Sequence, residues 1–357
     1  MRSALANVRR LVVKLGTGIL TDATKRPDLV QFAQLVAQVA AQRAAGREVV
    51  LVTSGAVGAG MGALGFERRP RKLDELQACA AVGQSRLMAM YETLFRHYGQ
   101  GVAQVLLTHD DLADHERHLN ARNTLLTLLK RGVVPVINEN DAVSVTELKF
   151  GDNDRLSALV ASLLPADLLV ILTTADGLIE NFGQPGQRRM GVVPRIDETI
   201  EAMAGGTTSA TAVGGMTTKI AAARIAVRSG LPLVIAPGRK FDALARILAG
   251  EDEGTLFEPD AAKLTGRKRW IAFFQRPAGS LTVDDGARRA LVEQGRSLLP
   301  PGMTRVEGDF RAGDVVSIQD AAGREIARGL ACLDAKVFAT GARPKGEVVH
   351  RDDLVLL

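Results

Sequence analysis

The chain has 357 residues, 46% hydrophobic and 24% charged, too many for one core and ordinary for a globular protein, so two unequal domains are expected. No apolar run reaches the roughly 18 residues of a membrane span, so a soluble globular protein is expected, and the N-terminus does not show the basic, apolar and small-residue pattern of a secretory signal, which makes the cytoplasm the simplest expected address. A formal charge of +5 suits anionic small molecules or nucleic acid without choosing between them.

From the N-terminus, the runs VRRLVVKLG, REVVLVTSG, VVPVINEND, LLVILTTADG and LPLVIAPG are short, β-branched and nearly continuously apolar. Segments 27–46, 70–99, 154–164 and 216–230 carry helical spacing between them. This alternation implies βαβ units and a parallel sheet covered by helices on both faces, so the fold class is α/β, an αβα sandwich. Gly, Ser, Asn, Asp and Thr follow the strands, and function is expected at their C-terminal ends.

Near residue 257 the rhythm changes. A basic patch, GRKRW, occupies 266–270, and from 279 the stretches SLTV, RVEG, VVSIQD, REIARGLA and EVVHRDDLVLL indicate a compact, mostly β module. The expected layout is a first domain over 1–257, a linker over 258–276 and the β module over 277–357. Cys79 and Cys332 sit among apolar or small residues, QACAAV and GLACLD, and read as two buried free thiols with neither a disulfide nor a zinc site.

Lys14 ends the first strand in VVKLGTG, where two glycines let backbone N–H groups approach an anion. It is either a phosphate-holding lysine or a surface lysine at a strand end. The string is neither GxxxxGK[ST] nor GxGxxG, which disfavours the Walker and dinucleotide-binding classes. VTSGAVGAG, at 52–60, puts Ser54 and Gly55 at the start of the next helix, as an anion-binding turn or a tight connection.

NEND at 138–141 and GDND at 151–154 gather four carboxylates and three amides around a hairpin expected at 143–150. Such a set can chelate a metal, grip an ammonium group, position lysines or simply form turns. GGMTTK, at 214–219, carries flexible Gly214 and Gly215, hydroxyls on Thr217 and Thr218, and a positive Lys219 one turn into a helix. That is the most specific signal, a phosphate-binding turn. The stretch 204–213 before it is a lid or a loop, and LTTADG at 172–177 suits a ribose or base edge, or a plain turn. No HExxH pairing and no GxSxG elbow occurs, so metalloprotease and serine-hydrolase classes have no support.

In chain order, VVKLGTG, VTSGA, LNARNT, PVINENDAV, KFGDND, LLVILTTADGL and GGMTTK resemble the amino-acid kinase family across residues 8–257. PVINENDAV followed closely by GDND is similar to the glutamate-phosphorylating branch, as against the acetylglutamate, aspartate, carbamate and uridylate branches. Residues 277–355, with GSLTVDDGA, GRSLLPPGM, GDFRAGDVVSI and HRDDLVL, resemble the PUA domain that bacterial members of that branch carry.

The resemblance implies ATP-dependent phosphorylation of the γ-carboxylate of L-glutamate, the first step of proline biosynthesis, with Mg2+ held mainly through the ATP phosphates. Position by position, it makes Lys14 and Lys219 phosphate-contacting lysines and Asp154 the carboxylate that orients them. Ser54, Asp141 and Asn153 fall in the glutamate site. Lys14, Thr173, Thr174 and the run Val213, Gly214, Gly215, Met216, Thr217, Thr218 and Lys219 fall in the nucleotide site, and Asp152 is a candidate for magnesium-associated groups. Thr174 and Val213 depart from the pattern, many relatives having Asp at the first and Thr or Gly at the second, which touches nucleotide contacts and not the reaction.

A homo-oligomer, dimer or tetramer, is expected, with a glutamyl phosphate reductase to receive the labile product. Proline keeps the α-carboxylate and ammonium of glutamate but offers no γ-carboxylate, so it is expected to inhibit by competition. PUA domains elsewhere bind RNA, yet residues 277–357 hold eleven Arg and Lys against twelve Asp and Glu. Without a basic excess for a phosphate backbone, nucleic acid is not the expected main partner.

Overall fold

The N-terminal strands are β1 (Arg10–Leu15), β2 (Glu48–Val52), β3 (Val102–Leu107), β4 (Val134–Glu139), β5 (Leu168–Thr173), β6 (Ile179–Glu180), β7 (Arg188–Arg189), β8 (Val192–Val193), β9 (Leu233–Pro237) and β10 (Thr255–Phe257). Eight of them form one sheet in the order β3-β4-β2-β1-β5-β9-β10-β8, while β6 and β7 make a separate ribbon. Within the eight-stranded sheet pairing is parallel except between β9 and β10, and the ribbon is antiparallel. The computed structural model describes residues 2–24, 26–144, 153–205, 215–261, 264–339 and 344–357. Asp152, Val213 and Gly214, and most of the expected 143–150 hairpin, lie outside them.

Every residue of β4 and β9 is buried, as is all of β1 and β2 but the first residue and all of β5 but the last. Strands roofed on both faces need apolar side chains on both faces, which is why these runs lack alternation. The order of strands reverses around β1, which pairs with β2 on one edge and β5 on the other. In an open parallel sheet, the crevice at such a reversal, beyond the strand C-termini, is where ligands bind.

Helices Leu29–Ala44, Leu73–Arg96, His115–Lys130, Asp154–Leu163 and Met216–Arg228 cover the sheet. The short helix Ala56–Met61 crosses Leu73–Arg96 with backbones in contact. A Cβ on Gly83 would lie 1.7 Å from the Ala56 carbonyl oxygen, and one on Gly60 would lie 1.9 Å from that of Cys79. Only glycine permits that approach. Helices Asp154–Leu163 and Met216–Arg228 pack on one another, and both bury small residues, Ala158 and Ala161 on the first and Ala222, Ala223 and Ala226 on the second.

The chain divides into Met1–Lys263 and Leu264–Leu357. In the second unit, β11 (Gly279–Val283), β12 (Met303–Gly308), β13 (Val315–Gln319), β14 (Glu325–Ala331) and β15 (Val349–Leu356) form a sheet in the order β12-β11-β13-β14-β15. Helix Asp285–Val292 adds to the strands, capped by the Asp284 carboxylate, which accepts from Ala287 N–H at 2.7 Å. Leu281, Val283, Leu291, Phe310, Val316 and Ile318 centre its core.

One expectation, that both thiols are buried, is corrected. Helix Gly266–Arg269 runs into a π-type turn, Trp270–Phe274, that packs on β14 and β15 with Ile271, Phe273 and Phe274 buried. The Arg328 guanidinium donates to the carbonyls of Ala272 and Gln275 at 2.9 and 3.3 Å and ties the turn down. Cys332 is exposed, and only Cys79 is buried. Buried residues alternate along β14 and end at Ala331, so the next position has the outward parity. Among the described residues no helix is long and apolar enough to cross a membrane.

Candidate active site

The C-terminal ends of β1, β2, β4 and β5 converge, and of the residues picked from the sequence motifs Lys14, Asp154, Thr218 and Lys219 meet there, as do Ser54 and Asn153. Lys14, next to last in β1, is held between Val52 of β2 and Ile171 of β5. Asp154 opens helix Asp154–Leu163, and Lys219 lies in the first turn of the neighbouring helix. Asp154 Oδ1 stands 2.5 Å from Lys14 Nζ, and its Oδ2 accepts from Lys219 Nζ at 3.0 Å and from Thr218 Oγ1 at 3.1 Å. Asp154 is fully buried and both lysines nearly so.

The glycines after Lys14 have separate reasons. Gly16 donates to the Leu172 carbonyl at 3.1 Å. Gly18 faces Thr174, whose Cγ2 would be 3.0 Å from any Cβ there. Thr174 is exposed and Thr173 half-buried at the end of β5. Gly215 caps the helix that carries Met216, Thr217, Thr218 and Lys219. Thr217 Oγ1 donates to the Ala204 carbonyl at 3.3 Å, and the one Thr218 hydroxyl proton is shared between Asp154 Oδ2 and the Gly215 carbonyl, the latter 2.8 Å away.

On the other side of Asp154, Asn153 Nδ2 donates to the Thr53 carbonyl and to Asn138 Oδ1, both at 2.7 Å, with Ser54 Oγ at 3.4 Å. Ser54 and Gly55 start helix Ala56–Met61, Gly55 with φ 100°. Asp141 is buried, and among the described residues its Oδ1 has no hydrogen-bond partner. Burial and the neighbouring Glu139 charge push its carboxyl up to about 7, against the opposing pull of Arg69. Asp141 and Glu139 share a cavity of about 220 Å³ with Gln84, Gln104, Ser85 and Leu106.

The motifs had marked Lys14, Ser54, Asp141, Asn153, Asp154 and Lys219 but not Gln84 or Gln104. Those two glutamines come from helix Leu73–Arg96 and β3, far from any motif. Asn138 was visible within NEND, and its amide turns out to link Asn153 to Gln84.

Two buried ammonium groups around one carboxylate make a place where negative charge spread over a transferring group is neutralised. An orphan buried carboxylate oxygen alongside calls for a cationic or donor group of a second ligand. Among the described residues no group of three or more His, Cys, Asp and Glu is arranged to hold a metal.

Residues 9–237 match the amino acid kinase family and residues 279–351 the PUA domain. A protein of Moorella thermoacetica called glutamate 5-kinase is 48% identical over 371 aligned residues, covering 100% of this chain and 98% of that one. One of Ralstonia nicotianae with the same name is 48% identical over 372, covering 100% of both. Among solved structures, the carbamate kinase from Giardia lamblia bound to AMP-PNP is similar at a TM-score of 0.52 and 19% identity, over 71% of this chain and 100% of that one, which shows the shared fold alone. With the parallel sheet and the β module both as the family requires, the chain belongs to the amino acid kinase family, among its glutamate 5-kinases, with a PUA domain in its C-terminal unit.

Proposed function

We propose that this kinase transfers the γ-phosphoryl group of ATP to the side-chain carboxylate of L-glutamate, opening proline biosynthesis, and that proline inhibits it by occupying the glutamate site. The observation that carries the reading is the pair of buried lysines bridged by Asp154, together with a buried Asp141 oxygen that has no hydrogen-bond partner among the described residues. One end of the site suits phosphate and the other an ammonium group.

The glutamate γ-carboxylate is already a nucleophile and needs no general base. Its oxygen forms the new bond to phosphorus as the bond to the ADP oxygen breaks, so catalysis is in-line positioning plus charge neutralisation. Lys14 and Lys219 face the transferring group, and Asp154 sets their direction. A lysine about 4 Å from a phosphate oxygen contributes on the order of 4 kcal/mol at an effective dielectric of about 20, before desolvation is subtracted. Asp141 takes the ammonium group; Ser54 and Asn153 complete the amino-acid site. Thr173, Thr174, Gly215, Met216 and Thr217 border the nucleotide, and Thr218 steadies Asp154. Magnesium fits as an ion carried on the ATP phosphates, where it lowers their charge, because Lys14, Lys219 and Thr218 already engage both Asp154 oxygens.

The product is an acyl phosphate that water destroys, so a glutamyl phosphate reductase consumes it promptly, and the enzyme works in the cytoplasm as a dimer or tetramer. Hydroxylamine trapping of the acyl phosphate tests the reading, with glutamate, N-acetylglutamate and aspartate in parallel. Glutamate alone should give hydroxamate at high rate. Equal rates with the blocked amine would remove Asp141 from its role, and a proline effect that excess glutamate fails to reverse would rule out a shared site.

A further inference from the structure

Four amides from separate parts of the chain form one hydrogen-bonded line through the wall of the amino-acid site. Asn153 Nδ2 donates to Asn138 Oδ1 at 2.7 Å, Asn138 Nδ2 to Gln84 Oε1 at 2.9 Å, and Gln84 Nε2 to Gln104 Oε1 at 3.0 Å. The line has a fixed direction. The Thr53 carbonyl, which only accepts, is 2.7 Å from Asn153 Nδ2, and the Glu139 N–H, which only donates, is 3.0 Å from Asn138 Oδ1. Each later amide is then left a single orientation.

The fixed direction has a result at the site. Asn153 Oδ1 is turned away from all these donors and, among the described residues, is buried without a hydrogen-bond partner, as is Asp141 Oδ1. Asn138 and Asn153 are at most 1% exposed and Gln84 is 8% exposed, so water does not supply the missing bonds cheaply. A buried glutamine on a helix otherwise facing the core contributes less to stability than a leucine of its size would, unless its amide holds something in place.

We propose that Gln84, backed by Gln104, is a positioning residue for the amino-acid substrate. Its Oε1 holds the Asn138 amide, which holds that of Asn153, so that the Asn153 oxygen stays presented as an acceptor beside Asp154. Without Gln84 the buried Asn138 NH2 loses its acceptor while the Thr53 carbonyl and Glu139 N–H still set which way the two amides face, so Asn138 shifts to regain a partner and draws the Asn153 oxygen out of place. The inference rests on glutamate being the substrate, and it adds how that site is kept in register from its outer wall.

The test is steady-state kinetics on the full chain with Gln84→Met, Gln104→Met and the double variant, each near-isosteric and unable to pass on the hydrogen bond. Gln84→Met should raise KM for glutamate about tenfold, the effect of losing one buried hydrogen bond, with KM for ATP changed by less than about twofold. Gln104→Met should raise it less, and the double variant should be no worse than Gln84→Met, because Gln104 acts only through Gln84. Additive effects, an equal rise in KM for ATP, or unchanged KM for glutamate would overturn the relay. If Gln84→Met does not fold, the exposed Gln104 position decides: a glutamate-specific rise in KM supports the relay, and none overturns it. Wild-type turnover in the same assay reports on the substrate itself; no turnover with glutamate would bring down the reading above and this inference with it.

Discussion

Asp154 and Lys219 occupy the first turns of two neighbouring helices, and their side chains meet at 3.0 Å in the buried interior. The contact spans 65 positions of sequence and depends on the small-residue packing of those helices. Lys219→Ala should therefore lower kcat by about 10²–10³-fold while KM for glutamate changes by less than about threefold, since the charge it meets grows in the transition state. Turnover at the wild-type rate would remove Lys219 from the reaction.

Asp154→Asn keeps the shape of the side chain but removes the charge that Lys14 and Lys219 share. Breaking a buried ion pair from one side costs about 3–5 kcal/mol. Both thermal stability and kcat should fall, and calorimetry beside kinetics separates the two losses. A variant with unchanged melting temperature would show that the lysines do not depend on Asp154.

The Asp141 carboxyl, raised to about 7 by burial and by Glu139, gives a pH dependence of definite sign. An ammonium ligand needs the ionised form, so KM for glutamate should fall as pH rises through that value. Stability runs the other way. The folded state holds its proton at pH values where the unfolded carboxyl has lost it, so this group's stabilising effect is full below the ordinary carboxylate range and is lost as pH rises towards 7. Asp141→Asn should abolish the slope in KM, weaken glutamate by about tenfold or more, and raise the melting temperature of the ligand-free protein above neutral pH. Persistence of the slope in Asp141→Asn would place the titration elsewhere.

Gly83→Ala adds one methyl group, aimed at a carbonyl oxygen 1.7 Å away. Backbone on both sides leaves no side chain to yield, so the cost should be at the upper end for overpacking, about 3 kcal/mol, or roughly 6–12 °C in melting temperature for a unit of this size. Differential scanning calorimetry reads it directly, and a shift under about 2 °C would mean that the two helices separate easily.

The two units have separate cores, with no residue in common between them. A fragment ending at Lys263 should fold and keep a cooperative thermal transition. An aggregated fragment would show that the first unit needs the second in order to fold.

Much of this was legible in the sequence, for identifiable reasons. β1, β2, β4, β5 and β9 are buried on both faces, and continuous apolar runs announce them. β3 was not read because it is an edge strand with exposed Gln104 in its middle and only Leu107 buried, which erases the apolar run. β6, β7, β8 and β10 span two or three residues each, too short for any period to show. Lys14, Asp154 and Lys219 stood out because each sits at a strand end or helix start within a distinctive string. Gln84 had no such string: its partners lie 20 and 54 residues away, and only the folded chain brings them together.

The double pairing of β1 also sets an order of events as the chain is made. β1 to β4 form a contiguous half-sheet once Glu139 has been added, but the second edge of β1 stays open until Leu168–Thr173 arrives. Synthesis at about 5–20 residues per second leaves that edge unpaired for a few seconds. A strand as apolar as RLVVKL, presenting free N–H and C=O groups for that time, is a template for wrong partners. The nascent chain is thus most prone to aggregate before its active centre exists, and slowing translation between residues 139 and 168 would lower the yield of soluble enzyme more than slowing it after residue 173.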